Sequence, residues 1–208
     1  MNLESSLKTY LDELSSNSPT PGGGNVAALC GVLSSSLGMM VCNLTIGKKK
    51  YLSVEEEVKN LVALFGEYKE VFVKLANQDN EAFDKVMEAF KLPKESDEEK
   101  QIRSEEIEKA TFGAALIPAE VIERCNQLVG NLVRISEIGN QNSLSDVGVA
   151  LSIINTACEG AYLNVIINCS SLNNKQKAIE LLSDSNQKYI SVKETVNNKI
   201  SEIIKSLS

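Results

Sequence analysis

The stretch VEEEVKNLVALFGEYKEVFVKLANQDNEAFDKVMEAF, Val54 to Phe90, decides the fold class. Counted alternately four and three residues apart, it puts Val54, Val58, Leu61, Phe65, Tyr68, Phe72, Leu75, Asp79, Ala82, Val86 and Ala89 on one line. That is the period of a long helix with a continuous apolar seam. One member of the seam, Asp79, is a carboxylate. Burying an unpaired charge is costly, so a carboxylate at a core position is the first candidate for chemistry, with a pKa raised by its burial.

Working outward, the same spacing recurs on both sides. Upstream, Leu3, Leu7, Tyr10, Leu11 and Leu14 mark a first helix that ends in the breaker Ser16 to Pro21. The glycine triplet Gly22 to Gly24 follows. From Leu14 to Gly47 no residue is charged, and Val26 to Ile46 has the length of a bilayer span. Asn25, Asn43 and Ser34 to Ser36 within or beside it favour a helix buried at the centre of a bundle. Its small residues Ala27, Gly31, Ser35, Gly38 and Cys42 form a face that another helix can approach closely, as in a dimer interface. Downstream, after Lys91-Leu92-Pro93-Lys94, a helix opens near Asp97, Pro118 is expected to kink or divide it, and a further helix reaches Ile138. After the turn Gly139 to Asn142, a nearly uncharged helix runs from about Leu144 to Ser170. An amphipathic helix through Ile179, Leu182, Tyr189, Val196, Ile200, Ile203 and Leu207 closes the chain. These patterns predict an all-α, single-domain protein over residues 1–208, an antiparallel bundle of long helices without sheet.

Composition narrows the function classes. With 28 acidic against 21 basic residues the formal net charge is -7, the wrong sign for general attraction to nucleic acid or an anionic membrane surface. Cys30, Cys42, Cys125, Cys158 and Cys169 are scattered in apolar stretches without a CxxC pair, as expected of reduced core thiols in a cytoplasmic protein. Residues Met1 to Tyr10 lack a basic-then-apolar leader pattern. The chain has no histidine, so acid-base chemistry falls to carboxylates, Lys, Tyr or Cys, and no metal site is expected.

Several groups could carry binding. Gly22, Gly23 and Gly24 precede a helix, where free backbone N–H groups can face an anion; they equally permit a sharp turn and close packing. Lys48 and Lys49, with Lys50, either interact with the end of the preceding helix or receive a polyanion. Asp146, three residues after Ser143, suits a capping box. Asn164 and Asn168 lie one turn apart on an apolar helix and either satisfy neighbours or face a polar cavity. A non-enzymatic alternative is a helical scaffold protein, against which Asp79 on the seam is the telling feature.

The run Ser18-Pro19-Thr20-Pro21-Gly22-Gly23-Gly24 leading into Val26-Ala27-Ala28-Leu29, and Asn43-Leu44-Thr45-Ile46-Gly47-Lys48-Lys49-Lys50-Tyr51, resemble the formiminotransferase-cyclodeaminase C-terminal domain family. Asp79-Asn80-Glu81-Ala82-Phe83, Gly139-Asn140, Ser145-Asp146-Val147-Gly148 and Asn164-Val165 with Ile167-Asn168 extend the match over nearly the whole chain. Asn25 stands where members commonly carry serine. The resemblance implies a cytoplasmic, homodimeric helical enzyme acting on one carbon carried by tetrahydrofolate, without metal. The activity implied is hydrolysis of 5,10-methenyltetrahydrofolate to 10-formyltetrahydrofolate or, alternatively, ammonia-releasing cyclisation of formiminotetrahydrofolate. With no formiminotransferase half in the sequence, a complete bifunctional activity is not expected. Asp79 is then the acid-base catalyst, assisted by Asp146. Gly22, Gly23, Gly24, Asn43, Lys48, Lys49, Asn140 and Asn164 are the expected substrate contacts. The lysine run, together with the glycine amides, would take the glutamate tail of a polyglutamylated folate.

Overall fold

A computed structural model describes residues 6–208 as one all-helical domain, with no strand among the described residues. Six helices follow in order: α1 (Leu7–Leu14), α2 (Gly23–Asn43), α3 (Glu55–Phe90), α4 (Asp97–Ile138), α5 (Leu144–Ser170) and α6 (Lys175–Leu207). Leu3, expected at the start of α1, lies outside the described residues.

The predicted seam is the inner face of α3. Val58, Leu61, Phe65, Phe72, Leu75 and Ala89 are buried in the core. They meet α2, which runs antiparallel: Gly38 faces Phe65, Gly31 faces Phe72 and Gly24 faces Asp79. Both series repeat every seven residues, and small residues opposite large ones let two helices interlock without voids. A Cβ on Gly31 would lie 2.5 Å from the Phe72 ring and one on Gly38 2.7 Å from Phe65. The small-residue face expected to meet another subunit is therefore filled from within the same chain.

α5 packs antiparallel on another side of α2, where the Ser34 hydroxyl donates to the Ala150 carbonyl at 2.8 Å and the Ala27 methyl lies 3.3 Å from the Cβ position of Gly160. α4 closes against α3 and α5. The Arg134 guanidinium pairs with Glu57, and the Tyr68 hydroxyl donates to Gln127 at 3.2 Å. α6 covers α4 and α5 through Lys188 with Glu123, at 2.8 Å, and the stacked rings of Tyr162 and Tyr189, 5.0 Å apart. α2 and the segment Gln141–Ser170 are each long and apolar enough, by length and composition, to cross a membrane; half of the apolar window of α2 is buried by its neighbours.

α4 begins in a capping box: the Glu99 N–H donates to the Ser96 hydroxyl, and the Glu99 carboxylate accepts from the Ser96 N–H. The helix then continues unbroken through Pro118 to Ile138, correcting the expectation of two helices. A proline inside a helix costs about 3 kcal/mol in the absence of compensation. Here Pro118 is buried, and the carbonyl it leaves without an N–H partner, that of Ala114, accepts from the Asn168 side-chain amide at 3.4 Å.

Candidate active site

Where the heptad series of α2 and α3 reaches its last pair, the Phe of the two preceding layers is replaced by Asp79. The aromatic rings would fill the space; a carboxylate does not. A cavity of about 350 Å³ opens there, walled by Gly22 to Gly24, Asp79, Phe83, Val86, Ala114, Asn164, Ile167 and Asn168, with Pro19 and Thr20 at its rim. A wider groove of about 660 Å³ between α3 and α4 shares Ala114 with it, but its charged groups stand on long, exposed stems.

Asp79 is partly buried and accepts a hydrogen bond from the backbone N–H of Asn25. Burial pushes its pKa above the ordinary carboxylate range, and the Asn25 N–H offsets part of that rise. The α2 N-terminus, which has no side-chain cap of its own, thus receives its anion from α3. The glycine turn was expected to bind the carboxylates of a ligand; part of that role is taken by Asp79 itself. A glycine is needed at position 24 because any side chain there would overlap the Asp79 carboxylate.

Behind Asp79 the Asn25 side chain is fully buried. Its Oδ1 accepts from the Tyr10 hydroxyl at 2.8 Å and its Nδ2 donates to the Ala76 carbonyl at 2.7 Å. Asn25 therefore ties α1 and α3 to the start of α2 and faces away from the cavity. Burial raises the Tyr10 pKa, with the charges of Cys30 and Asp79 adding to the effect.

Opposite Asp79, two amides line the cavity from α5. Asn164 donates through Nδ2 to the Gly160 carbonyl at 2.8 Å, and Asn168 donates through Nδ2 to the Asn164 carbonyl at 2.9 Å as well as to Ala114.

Of the residues expected from sequence, the chain brings Gly22, Gly23, Gly24, Asp79, Asn164 and Asn168 together. The others gather at the far end of the bundle. Asn43 ends α2, and Lys48 and Lys49 follow, all three exposed. Asn140 is buried: its N–H donates to Thr45 at 2.8 Å, and its Oδ1 accepts from the Asn142 N–H at 3.3 Å. Asp146 lies in the first turn of α5, but Ser143 makes no capping bond with its side chain, so the expected capping box does not form. At 1.5 Å per residue the 21 residues of α2 separate the two groups by about 30 Å. Phe83, Val86, Ala114 and Ile167 complete the cavity and were not expected as substrate contacts. The pairing of the glycine heptad in α2 with the seam of α3 was the signal that could have located its walls. Among the described residues no group of three or more His, Cys, Asp or Glu side chains is placed to hold a metal.

The all-helical fold, with a half-buried carboxylate against a glycine-initiated helix, defines a class, and comparison with known proteins identifies it. Residues 6–187 match the family model described as formiminotransferase-cyclodeaminase, and the chain belongs to that family. It is similar to a methenyltetrahydrofolate cyclohydrolase of Methylorubrum extorquens, 37% identical over 96% of each chain. It is also similar to the formimidoyltransferase-cyclodeaminase of Mus musculus, 32% identical over 82% of this chain but only 31% of that protein. Among solved structures, the formiminotetrahydrofolate cyclodeaminase of Thermotoga maritima superposes with a TM-score of 0.87 at 28% identity, covering 98% of both chains.

Proposed function

We propose that this protein is a methenyltetrahydrofolate cyclohydrolase, converting 5,10-methenyltetrahydrofolate and water to 10-formyltetrahydrofolate and a proton. The observation that carries the reading is Asp79: a carboxylate on the wall of a small cavity, held by a helix N-terminus and made more basic by burial. It is supported by end-to-end similarity to the Methylorubrum cyclohydrolase, whereas the mouse protein matches over only a third of its length. The bridging carbon of the substrate is cationic, so a nearby carboxylate stabilises it by charge. As water adds to that carbon, Asp79 removes a proton from the water. When the bond from carbon to N5 breaks, N5 takes up the proton held by Asp79, the hydroxyl of the adduct releases its own proton to solvent as the C=O forms, and the formyl group remains on N10. General acid-base catalysis of this kind contributes about 100 to 10,000-fold.

Homodimerisation belongs to the same proposal. Leu33 and Met40 of α2 and Val149, Leu163 and Ile167 of α5 are exposed, and Ile167 also lines the cavity. Exposed large apolar side chains on two neighbouring helices suit a contact with a second copy. A two-fold axis across it, perpendicular to α2, sets the Lys48 and Lys49 end of one subunit against the cavity of the other. The lysines then receive the glutamate tail, and Asn43, Asn140 and Asp146 approach the site from the partner. The unpaired cysteines, of which Cys42, Cys125, Cys158 and Cys169 are buried, accord with a cytoplasmic location.

The test is the decay of the near-ultraviolet absorbance of 5,10-methenyltetrahydrofolate, corrected for spontaneous hydrolysis. Acceleration by the protein that is lost in a folded Asp79→Asn variant is expected. No acceleration, with ammonia release from formiminotetrahydrofolate instead, would replace the reading by the cyclodeaminase.

A further inference from the structure

The two amides facing Asp79 have a defined polarity. Asn168 gives its amide N–H groups to two backbone carbonyls, at 2.9 Å to Asn164 and 3.4 Å to Ala114, whereas Asn164 gives one, at 2.8 Å to Gly160. An amide oxygen turned toward those carbonyls would be repelled, so both side chains are fixed in orientation, and in Asn168, whose two N–H groups are taken, Oδ1 is the polar atom left for a ligand. Neither Oδ1 accepts a bond from any described residue, and both side chains line the cavity. With Asp79, the side-chain wall of the cavity is thus rich in hydrogen-bond acceptors, and its complement is a ligand edge that carries N–H donors.

Asn168 owes its orientation to a residue outside the cavity. In an uninterrupted helix the Ala114 carbonyl would be taken by the N–H of the residue four positions on. That residue is Pro118, which has no N–H, so the carbonyl is left to hold the Asn168 amide across the α4–α5 contact. The proline does not break the helix. It leaves one carbonyl for the site to use.

Resting on the folate reading above, we propose that Asn168 binds the exocyclic 2-amino group of the reduced pterin, and that Pro118 is its positioning residue. The geometry decides between the two amides. Asn164 lies beside Gly23, whose Cβ position is 3.6 Å from its Nδ2, next to the Gly24 that meets Asp79; Asn168 is one turn farther along α5, on the side of Ala114 in α4. The one-carbon bridge between N5 and N10 must sit at Asp79, and the 2-amino group is on the opposite edge of the bicycle. It therefore falls to the farther amide. This contact fixes the ring so that the reacting carbon meets the carboxylate, and it selects a 2-aminopyrimidine over rings that lack the amino donor.

The experiment measures equilibrium binding of tetrahydrofolate and of its 2-desamino-2-methyl analogue to wild type, Asn168→Ala and Pro118→Ala, with thermal unfolding as the control for folding. Wild type should bind the analogue about tenfold more weakly, the loss expected for one hydrogen bond of normal strength. Asn168→Ala should bind the two ligands alike. Pro118→Ala restores an N–H for Ala114, leaves the cavity wall unchanged and keeps the helix intact; it should narrow the discrimination and raise KM for 5,10-methenyltetrahydrofolate with kcat nearly unchanged. If folded Asn168→Ala discriminates as well as wild type, the assignment of the 2-amino contact is overturned even while hydrolysis proceeds. If Pro118→Ala alone behaves as wild type, the positioning role is overturned. Failure of the wild type to bind tetrahydrofolate at all would overturn the folate reading itself and this contact with it.

Discussion

Replacing Gly24 by alanine should separate activity from stability, and the other glycines supply the comparison. At Gly31 an added methyl enters 2.5 Å from carbons of the Phe72 ring, and that ring is fully buried, with nowhere to move. Overpacking of this kind costs about 1–3 kcal/mol, against about 1 kcal/mol gained by exchanging a helical glycine for alanine. The net effect is a loss of up to about 2 kcal/mol, or roughly 4–8 °C in Tm for a chain of this size. At Gly24 the methyl overlaps the Asp79 carboxylate, whose far side is the open cavity. The carboxylate can swing into that space, so Gly24→Ala should leave Tm nearly unchanged. The swing removes the carboxylate from the Asn25 N–H and from its position against the substrate, and a displacement of about 1 Å at a catalytic group can cost on the order of 100-fold. Gly130→Ala, where nothing lies within 4 Å of the new methyl, should raise Tm by about 2–4 °C. Thermal unfolding read beside turnover of 5,10-methenyltetrahydrofolate checks all three variants. Wild-type turnover in Gly24→Ala, or a fall in Tm as large as that of Gly31→Ala, would refute the reasoning.

Burial raises the folded-state pKa of Asp79, so the charged form is disfavoured by folding. That cost is absent below the unfolded value near about 3.9 and grows as pH rises through the folded value. Asp79→Asn should therefore raise Tm at neutral pH, by a margin that vanishes at acid pH, while abolishing the rise of kcat/KM with pH that a general base produces. Tyr10→Phe strands the Oδ1 of fully buried Asn25 and should destabilise the protein by about 1–3 kcal/mol, measurable by denaturant titration. Leu33→Glu with Leu163→Glu should convert a dimer to monomers in sedimentation experiments; a wild type that sediments as a monomer would remove the interface. Lys48→Ala with Lys49→Ala should raise KM more for polyglutamylated than for monoglutamylated substrate, and equal effects would displace the tail from these lysines.

Sequence alone determined the helical class and the identity of the one carboxylate on the α3 seam, because a period of three and four residues is a property of neighbours along one helix. It also carried the family motif from the glycine turn to the lysine run. It did not show that Gly24, Gly31 and Gly38 meet Asp79, Phe72 and Phe65, since the register between two helices depends on which side chains interlock, a condition set by distant residues. It left open whether Pro118 kinks or divides the helix, and the helix is not divided because the compensating donor, Asn168, is brought to Ala114 by the packing of α5 on α4. Nor did it reveal that the motif residues divide between two ends of α2, about 30 Å apart, because a stiff helix keeps residues separated that lie close in the text of the sequence. Tertiary packing decided which of them share a cavity: Asp79, the glycine turn, Asn164 and Asn168 do, and Lys48 and Lys49 stand at the other end of α2.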